Sequence, residues 1–72
     1  MRMIWRGLIG RHWYRVDVDV RDRWALTREH DDPRDDDTVA QGWTLSTNDA
    51  EILQDVSDEL KAIAEVIDGE TT

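Results

Sequence analysis

The sequence contains no cysteine. Disulfide bonds and cysteine-based zinc sites, which commonly support small domains, are therefore excluded. A small secreted domain would normally be rich in disulfides, so the composition predicts a cytoplasmic protein. Long apolar runs are also absent, and none approaches the roughly 20 residues that a membrane span needs. Arg6 interrupts the apolar start of the chain, so residues 1–11 do not resemble a signal peptide.

The chain is short as well. Its 72 residues form one domain at most. Domains of this size bury only about 60% of the surface that their unfolded chain exposes, so their stability is marginal. A deep substrate cleft between two lobes is excluded, and self-association or a bound partner is the expected support. We therefore predict a homodimer.

Motifs that carry chemistry are missing. The sequence has no glycine-rich phosphate-binding loop and no serine- or cysteine-based catalytic arrangement. His12 and His30 could act as metal ligands only if the fold brought them together. Asp17 and Asp19, about 7 Å apart on one strand face, could form an acid–base pair, but neighbouring arginines favour solvated ion pairs. We predict a protein that is not an enzyme and that binds no cofactor or metal.

Charge is unevenly divided along the chain. The formal net charge is −8, from 17 acidic and 9 basic residues. Residues 1–34 contain every arginine and have a net charge of +2, whereas residues 35–72 contain Lys61 as their only base and have a net charge of −10. An acidic half repels nucleic-acid phosphates and attracts basic protein surfaces. Genome composition or salt adaptation would produce the same asymmetry without a function.

Four segments alternate apolar and polar residues in the manner typical of strands. We predict strands at about residues 2–9, 13–20, 24–28 and 38–45. The second is the clearest, with Val16, Val18 and Val20 pointing inward. In the first, Met3 is expected on the buried side and Gly7 is expected to mark a bulge.

An aspartate-rich loop and an amphipathic helix follow the third strand. Residues 30–37 contain one proline and five aspartates, which disfavour both a strand and a helix. The helix is predicted at about residues 48–67, where apolar side chains recur in steps of three and four. Asn48 or Ser46 is expected to cap its start, and Gly69 is expected to end it.

The order of these elements predicts the fold class. Sequential strands joined by short turns form an antiparallel meander. One face of the sheet must be covered, and the helix is the only cover available. We therefore predict an α+β domain: a small antiparallel sheet of three to four strands with one C-terminal amphipathic helix packed on one face.

The four tryptophans divide into two classes. Trp5, Trp24 and Trp43 have apolar neighbours and are expected in the core. Trp13 has the polar parity of its strand and lies close to Arg15. An exposed tryptophan beside an arginine is typical of an interface anchor, although a cross-strand neighbour could equally cover it.

The aspartate-rich loop is the other candidate contact surface. Its spacing does not match the calcium-loop pattern D-x-[DN]-x-[DN]-G, so a surface for a basic partner is favoured over a metal site. We predict a module that acts by occluding the surface of a partner protein, as an adaptor, an inhibitor or an antitoxin-like accessory protein of a phage or mobile element does. The predicted partner-binding residues are Trp13, Arg15, Asp31, Asp32, Asp35, Asp36 and Asp37.

Two alternatives involve nucleic acids. Carboxylates of the loop and helix could imitate a phosphate track and block a nucleic-acid-binding protein, provided that they are spaced like phosphates. Arginines interleaved with aromatic residues in the first half could instead bind single-stranded nucleic acid. The sequence pI of about 4.4 makes nucleic-acid binding the less favoured of the two.

One family resemblance concerns the fourth strand. The segment Gln41-Gly42-Trp43-Thr44-Leu45, which leads into a helix, is similar to the step Gln-Gly-x-Thr-Leu of HicB-type antitoxins. The resemblance implies a core of strands followed by a helix. The proline-rich segment that precedes this step in the family is absent here, and no functional residue is carried over.

Overall fold

The structure is a computed structural model that describes the backbone of residues 1–43 and 48–71, and the side chains of residues 1–43 and 48–69. Four strands, a short 3-10 helix and one α-helix follow one another along the chain. In order they are β1 (Arg2–Ile9), β2 (His12–Val18), β3 (Arg23–Arg28), the 3-10 turn Pro33–Asp35, β4 (Asp37–Trp43) and α1 (Asp49–Thr71).

The strands form one antiparallel sheet in the order β1-β2-β3-β4. This meander with one C-terminal helix confirms the predicted α+β fold. The first turn depends on Gly10, whose φ of 63° is accessible to glycine at little cost. The second turn contains Asp22 at φ 60°, and it is closed by the Asp19 carboxylate, which accepts the N–H groups of Arg21 and Arg23.

The core lies between α1 and one side of the sheet, here called the inner face. Val16 pairs with Leu26 across β2 and β3, so their side chains lie together on this face. Both are fully buried, as are Ile52 and Val56 of α1. The apolar face of β2 therefore packs against the apolar face of α1, as the sequence predicts. Trp24 belongs to the same cluster.

α1 runs along β1, at one border of the sheet. At its start, the Asn48 side chain accepts the Ala50 N–H at 2.9 Å and so caps the helix. Asp49 forms an ion pair with Arg2, and near the other end Ile67 lies against Gly10. Ser46, the alternative cap, lies outside the described residues. No helix in the described part of the chain is long and apolar enough to cross a bilayer.

Several predicted boundaries differ from the structure. β2 ends at Val18 because the turn organised by Asp19 begins there, so Val20 is exposed rather than inward. β4 ends at Trp43, and the last two residues predicted for it lie outside the described residues. α1 does not stop at Gly69 but continues to Thr71. Gly10 is the only described glycine with a positive φ, so Gly69 does not adopt the conformation that ends helices.

The bulge in β1 lies between Met3 and Trp5, not at Gly7. It turns Met3 onto the side of the sheet away from α1, whereas Trp5 stays on the inner face. Gly7 has a different role, because a Cβ there would come within 2.5 Å of the Trp5 ring. The glycine therefore makes room for an aromatic side chain that packs along its own strand.

Candidate protein-binding surface

The side of the sheet opposite α1, here called the outer face, is covered by no described element. Apolar side chains stand exposed on it. They are Met3, Leu8, Trp13 and Trp43. Exposed aromatic side chains are enriched at protein interfaces, so the outer face is the candidate functional surface.

Trp13 is held in place by its neighbours. The Arg6 guanidinium lies over its ring, 4.3 Å from the centroid. Two hydrogen bonds, of 2.9 and 3.2 Å, join the same guanidinium to the Glu29 carboxylate. The Glu29 N–H in turn donates to the Trp13 carbonyl at 2.8 Å. The side chain is 43% exposed, and this clamp presents it in one orientation.

Trp43 is exposed too, which corrects the prediction that it belongs to the core. A register shift in β4 opposite Leu26 and Thr27 separates Val39 from Trp43 and turns Trp43 outward. The inner position beside it is Gly42, where a Cβ would meet the Trp24 ring at 2.7 Å. Trp24 therefore fills the core at this point, and Trp43 is 66% exposed.

Arg23 and Trp43 repeat the arginine–ring contact seen at Trp13, but Arg23 forms no ion pair with a described residue. The Arg23 guanidinium lies 4.6 Å from the centroid of the Trp43 ring. The two tryptophans lie toward opposite ends of the outer face, since Trp13 is near the start of the interior strand β2 and Trp43 ends the edge strand β4. Strand geometry places them about 20 Å apart. The sequence pattern did not predict Trp43 or Arg23 as surface residues. Gly42, which precedes Trp43, was the one signal in the sequence that the neighbouring inner position lacks a side chain.

Arg15 connects the outer face to the aspartate-rich loop. Its guanidinium binds Asp17 at 3.0 Å and Asp36 at 3.1 Å, and it lies 3.9 Å from Glu29. Asp17 is largely buried beneath it, whereas the Arg15 side chain is 31% exposed, so this ion pair is less solvated than predicted. Asp19, the other candidate member of an acid–base pair, lies beyond the end of β2 and closes the turn. The structure thus brings together Trp13, Arg15 and Asp36 from the predicted set.

The remaining aspartates of the loop have different roles. Asp32 caps the 3-10 turn and pairs with Arg34. Asp37 pairs with Arg28 and with His30. The Asp31 and Asp35 carboxylates form no hydrogen bond or ion pair with the described residues, and Asp31 lines a cleft of ≈ 460 Å³ beside Trp13. Part of the loop's charge is therefore neutralised within the fold, and the rest faces outward.

These contacts shift the titration of several carboxyl groups. The backbone N–H of His30 and the Arg15 guanidinium lower the pKa of Asp36. The Arg6 guanidinium lowers the pKa of Glu29, and the Arg28 guanidinium lowers that of Asp37. In each case the bonded carboxylate is favoured over its protonated form.

Stability should therefore fall as these groups are protonated. Their folded pKa values lie below the unfolded ones, so the stabilisation is complete above about pH 5 and is lost as the pH falls through the folded pKa. We expect the urea midpoint to drop between neutral pH and about pH 3. Asp36→Asn should flatten this profile, whereas Asp35→Asn should leave its shape unchanged. Equal profiles for the two variants would contradict the role of Asp36.

The two histidines do lie together, at a centroid distance of 5.3 Å in an edge-to-face arrangement. His30 Nε2 lies 3.0 Å from Asp37 Oδ2. Among the described residues, no group of three or more histidine, aspartate or glutamate side chains could hold a metal ion. His12 and His30 therefore pack against each other without a coordination sphere.

The solvent side of α1 is strongly acidic. Glu51, Asp55 and Glu59 are exposed and recur every fourth residue, so they form one row along the helix. Helix geometry separates successive members of this row by about 6 Å. None of the three makes an ion pair with another described residue, and Lys61 is the only base in α1. The row gives this side of the molecule an unneutralised negative charge.

Comparison with known proteins adds no relative. No protein-family model, no curated protein and no solved structure matches the chain. The resemblance to HicB-type antitoxins rests on four identical residues, of which Thr44 and Leu45 lie outside the described residues. Function must therefore be inferred from the surface itself.

Proposed function

We propose that this chain is a small, non-enzymatic interaction module that binds the basic surface of a partner protein and occludes it. Adaptor, inhibitor and antitoxin-like roles share this mechanism. The observation that supports the proposal is the uncovered outer face, on which Trp13 and Trp43 are each exposed beneath an arginine. Exposed aromatic side chains in a fixed orientation bind at a low entropic cost.

The charge of the whole chain favours a basic partner. Arg6 and Arg15 are already paired with carboxylates of the same chain, so they contribute little net positive charge to the outer face. The cleft beside Trp13 is lined by Asp31 and by Arg11, and neither forms an ion pair with a described residue. The net charge of −8 would attract a basic protein to the molecule and raise its association rate at low salt.

A second candidate function is mimicry of a nucleic acid. The row formed by Glu51, Asp55 and Glu59 favours it, because its spacing of about 6 Å is close to the roughly 7 Å between phosphates of one strand. In this case α1, not the outer face, would contact the partner. Direct binding of nucleic acid is the least favoured function, since Arg6 and Arg15 are paired with carboxylates and the net charge of the chain is −8.

Capture from an extract of the source cells tests these functions. Immobilised wild-type protein should retain a partner at low salt and release it at high salt. The double substitution Trp13→Ala and Trp43→Ala should reduce retention by about tenfold or more, because both side chains are anchors. Val20→Ala, which removes an exposed apolar side chain from a turn, should retain the partner like the wild type.

The same capture has outcomes that count against the proposal. Unchanged retention by the tryptophan variant would exclude the outer face as the contact surface. Mimicry predicts two results together. Duplex DNA should compete for the partner, and the triple variant Glu51→Gln, Asp55→Asn and Glu59→Gln should lose capture. Retention of single-stranded nucleic acid by the wild type at low salt would favour direct binding instead.

A further inference from the structure

The sheet is wider than the single helix that covers it. Strand spacing places the axes of β1 and β4 about 14 Å apart, whereas a helix with its side chains is about 10 Å wide. α1 is anchored over β1, by the Arg2–Asp49 ion pair at one end and by the contact of Ile67 with Gly10 at the other. The β4 side of the inner face therefore lies beside α1 and not beneath it.

A groove of ≈ 390 Å³ occupies this position. Val39 of β4 forms one wall, and Ala62 and Val66 of α1 form the other. Val39 and Val66 are 41% and 62% exposed. Tyr14 and Ile63 also line the groove. The groove is thus an apolar surface continuous with the core.

The dimensions of the groove fit a helix. Packed helices lie 8–10 Å apart as a general rule, so a helix beside α1 would rest over β3 and β4. Ala62 and Val66 are four residues apart and form a ridge of the kind that helices pack against. A four-stranded sheet covered by two helices would then have its inner face closed across its full width.

The charge of the groove indicates which kind of helix would bind there. Glu59 lines the groove, and Asp55 lies one turn earlier on the same row of α1. His12 and Arg28 of the sheet also line the groove, and Asp37 already binds the Arg28 guanidinium at 3.0 Å. The wall formed by α1 is therefore negative and apolar, and an occupant with a basic flank complements it. A second copy of this chain brings a net charge of −8 and is a poorer match.

We infer that the groove between α1 and β4 binds an amphipathic helix of a partner protein. Apolar side chains of that helix, one turn apart, contact Val39 and Val66, and a lysine or arginine on its flank faces Glu59. This inference rests on the proposed function, since it names the partner segment, but it assigns that segment to the inner side of the sheet. The outer face and the groove can therefore be tested separately.

Titration of the isotope-labelled 72-residue protein with synthetic peptides tests the groove. Three peptides of about five helical turns are compared: an amphipathic leucine–lysine helix, its leucine–glutamate counterpart, and a scrambled leucine–lysine sequence without an apolar face. Only the first should shift the amide resonances of Val39, Ala62 and Val66. The indole resonances of Trp13 and Trp43 should stay unchanged.

Matched variants complete the test. The double variant Val39→Thr and Val66→Thr keeps the side-chain shapes but removes apolar contact. It should lower the affinity for the leucine–lysine peptide by about tenfold. Val20→Thr makes the same change at an exposed turn and should have no effect. Thermal unfolding of each variant confirms that it folds.

Four results would overturn the inference, and the first three concern the groove itself. The first is equal binding of the scrambled peptide, and the second is wild-type affinity of the valine variant for the leucine–lysine peptide. The third is a groove that is already closed by a second copy of the chain. Sedimentation would then show a dimer that the peptide does not dissociate. Peptide shifts confined to the two indoles would also overturn it while leaving the outer face as the contact surface. Loss of capture by the tryptophan variant alone bears on the proposed function and not on the groove.

Discussion

Leu26→Ala should remove more than half of the protein's free energy of unfolding. Leu26 is fully buried and pairs with Val16 at the centre of the inner face, against Ile52 and Val56. Truncation of such a leucine costs about 3 kcal/mol, from lost transfer free energy and from the cavity that remains. A domain of this size has a free energy of unfolding of only about 5 kcal/mol. Urea unfolding followed by circular dichroism measures the loss.

Leu8→Ala is the matched control for this substitution. It makes the same chemical change in β1 at a side chain that is 58% exposed on the outer face. The free energy of unfolding should change by less than about 0.5 kcal/mol, since no core contact is removed. Comparable losses for the two variants would show that the inner face is not the core of the fold.

Arg15→Met should destabilise the protein by about 2 kcal/mol. The substitution keeps an unbranched apolar stem but removes the charge that Asp17 and Asp36 share. Asp17 is 9% exposed, so its carboxylate would be left largely desolvated without its counter-ion. Asp36 would lose its link to the sheet, and the loop beside Trp13 would become less restrained. We therefore expect reduced stability together with weaker partner capture.

Arg34→Met is the control for the charge. Arg34 also forms an ion pair, with Asp32 at 2.9 Å, but its side chain is 89% exposed. Exposed pairs contribute about 0–1 kcal/mol, so this variant should unfold close to the wild-type midpoint. The role assigned to Arg15 would be wrong if both arginine variants lost the same stability.

Periodicity alone predicted most of the fold. Val16 and Val18 alternate with charged residues, and Val56 follows Leu53 by three residues in the helix, so each element has a face that only a partner layer can bury. The meander order follows because the intervening turns are short. The predicted boundaries were wrong where a side chain bonded to the backbone, as Asp19 does at the end of β2.

Bulges limited the prediction of the faces. A register shift moves every later side chain to the opposite face, and no local pattern marks where it occurs. Met3 and Trp43 were both expected in the core for this reason, and both lie on the outer face. The structure also places the Trp5 and Trp24 rings over Gly7 and Gly42, and periodicity does not predict these contacts.

The sequence by itself determined the α+β class, the amphipathic helix and the excess of negative charge, because these depend on residues close together in the chain. Only the tertiary structure decided which charged side chains pair with each other and which stay exposed. It places Arg15 between Asp17 and Asp36, which are separated by 19 positions, and it sets Trp13 and Trp43 toward opposite ends of one face. It also leaves the β4 side of the inner face beside α1 rather than beneath it, because one helix is narrower than four strands.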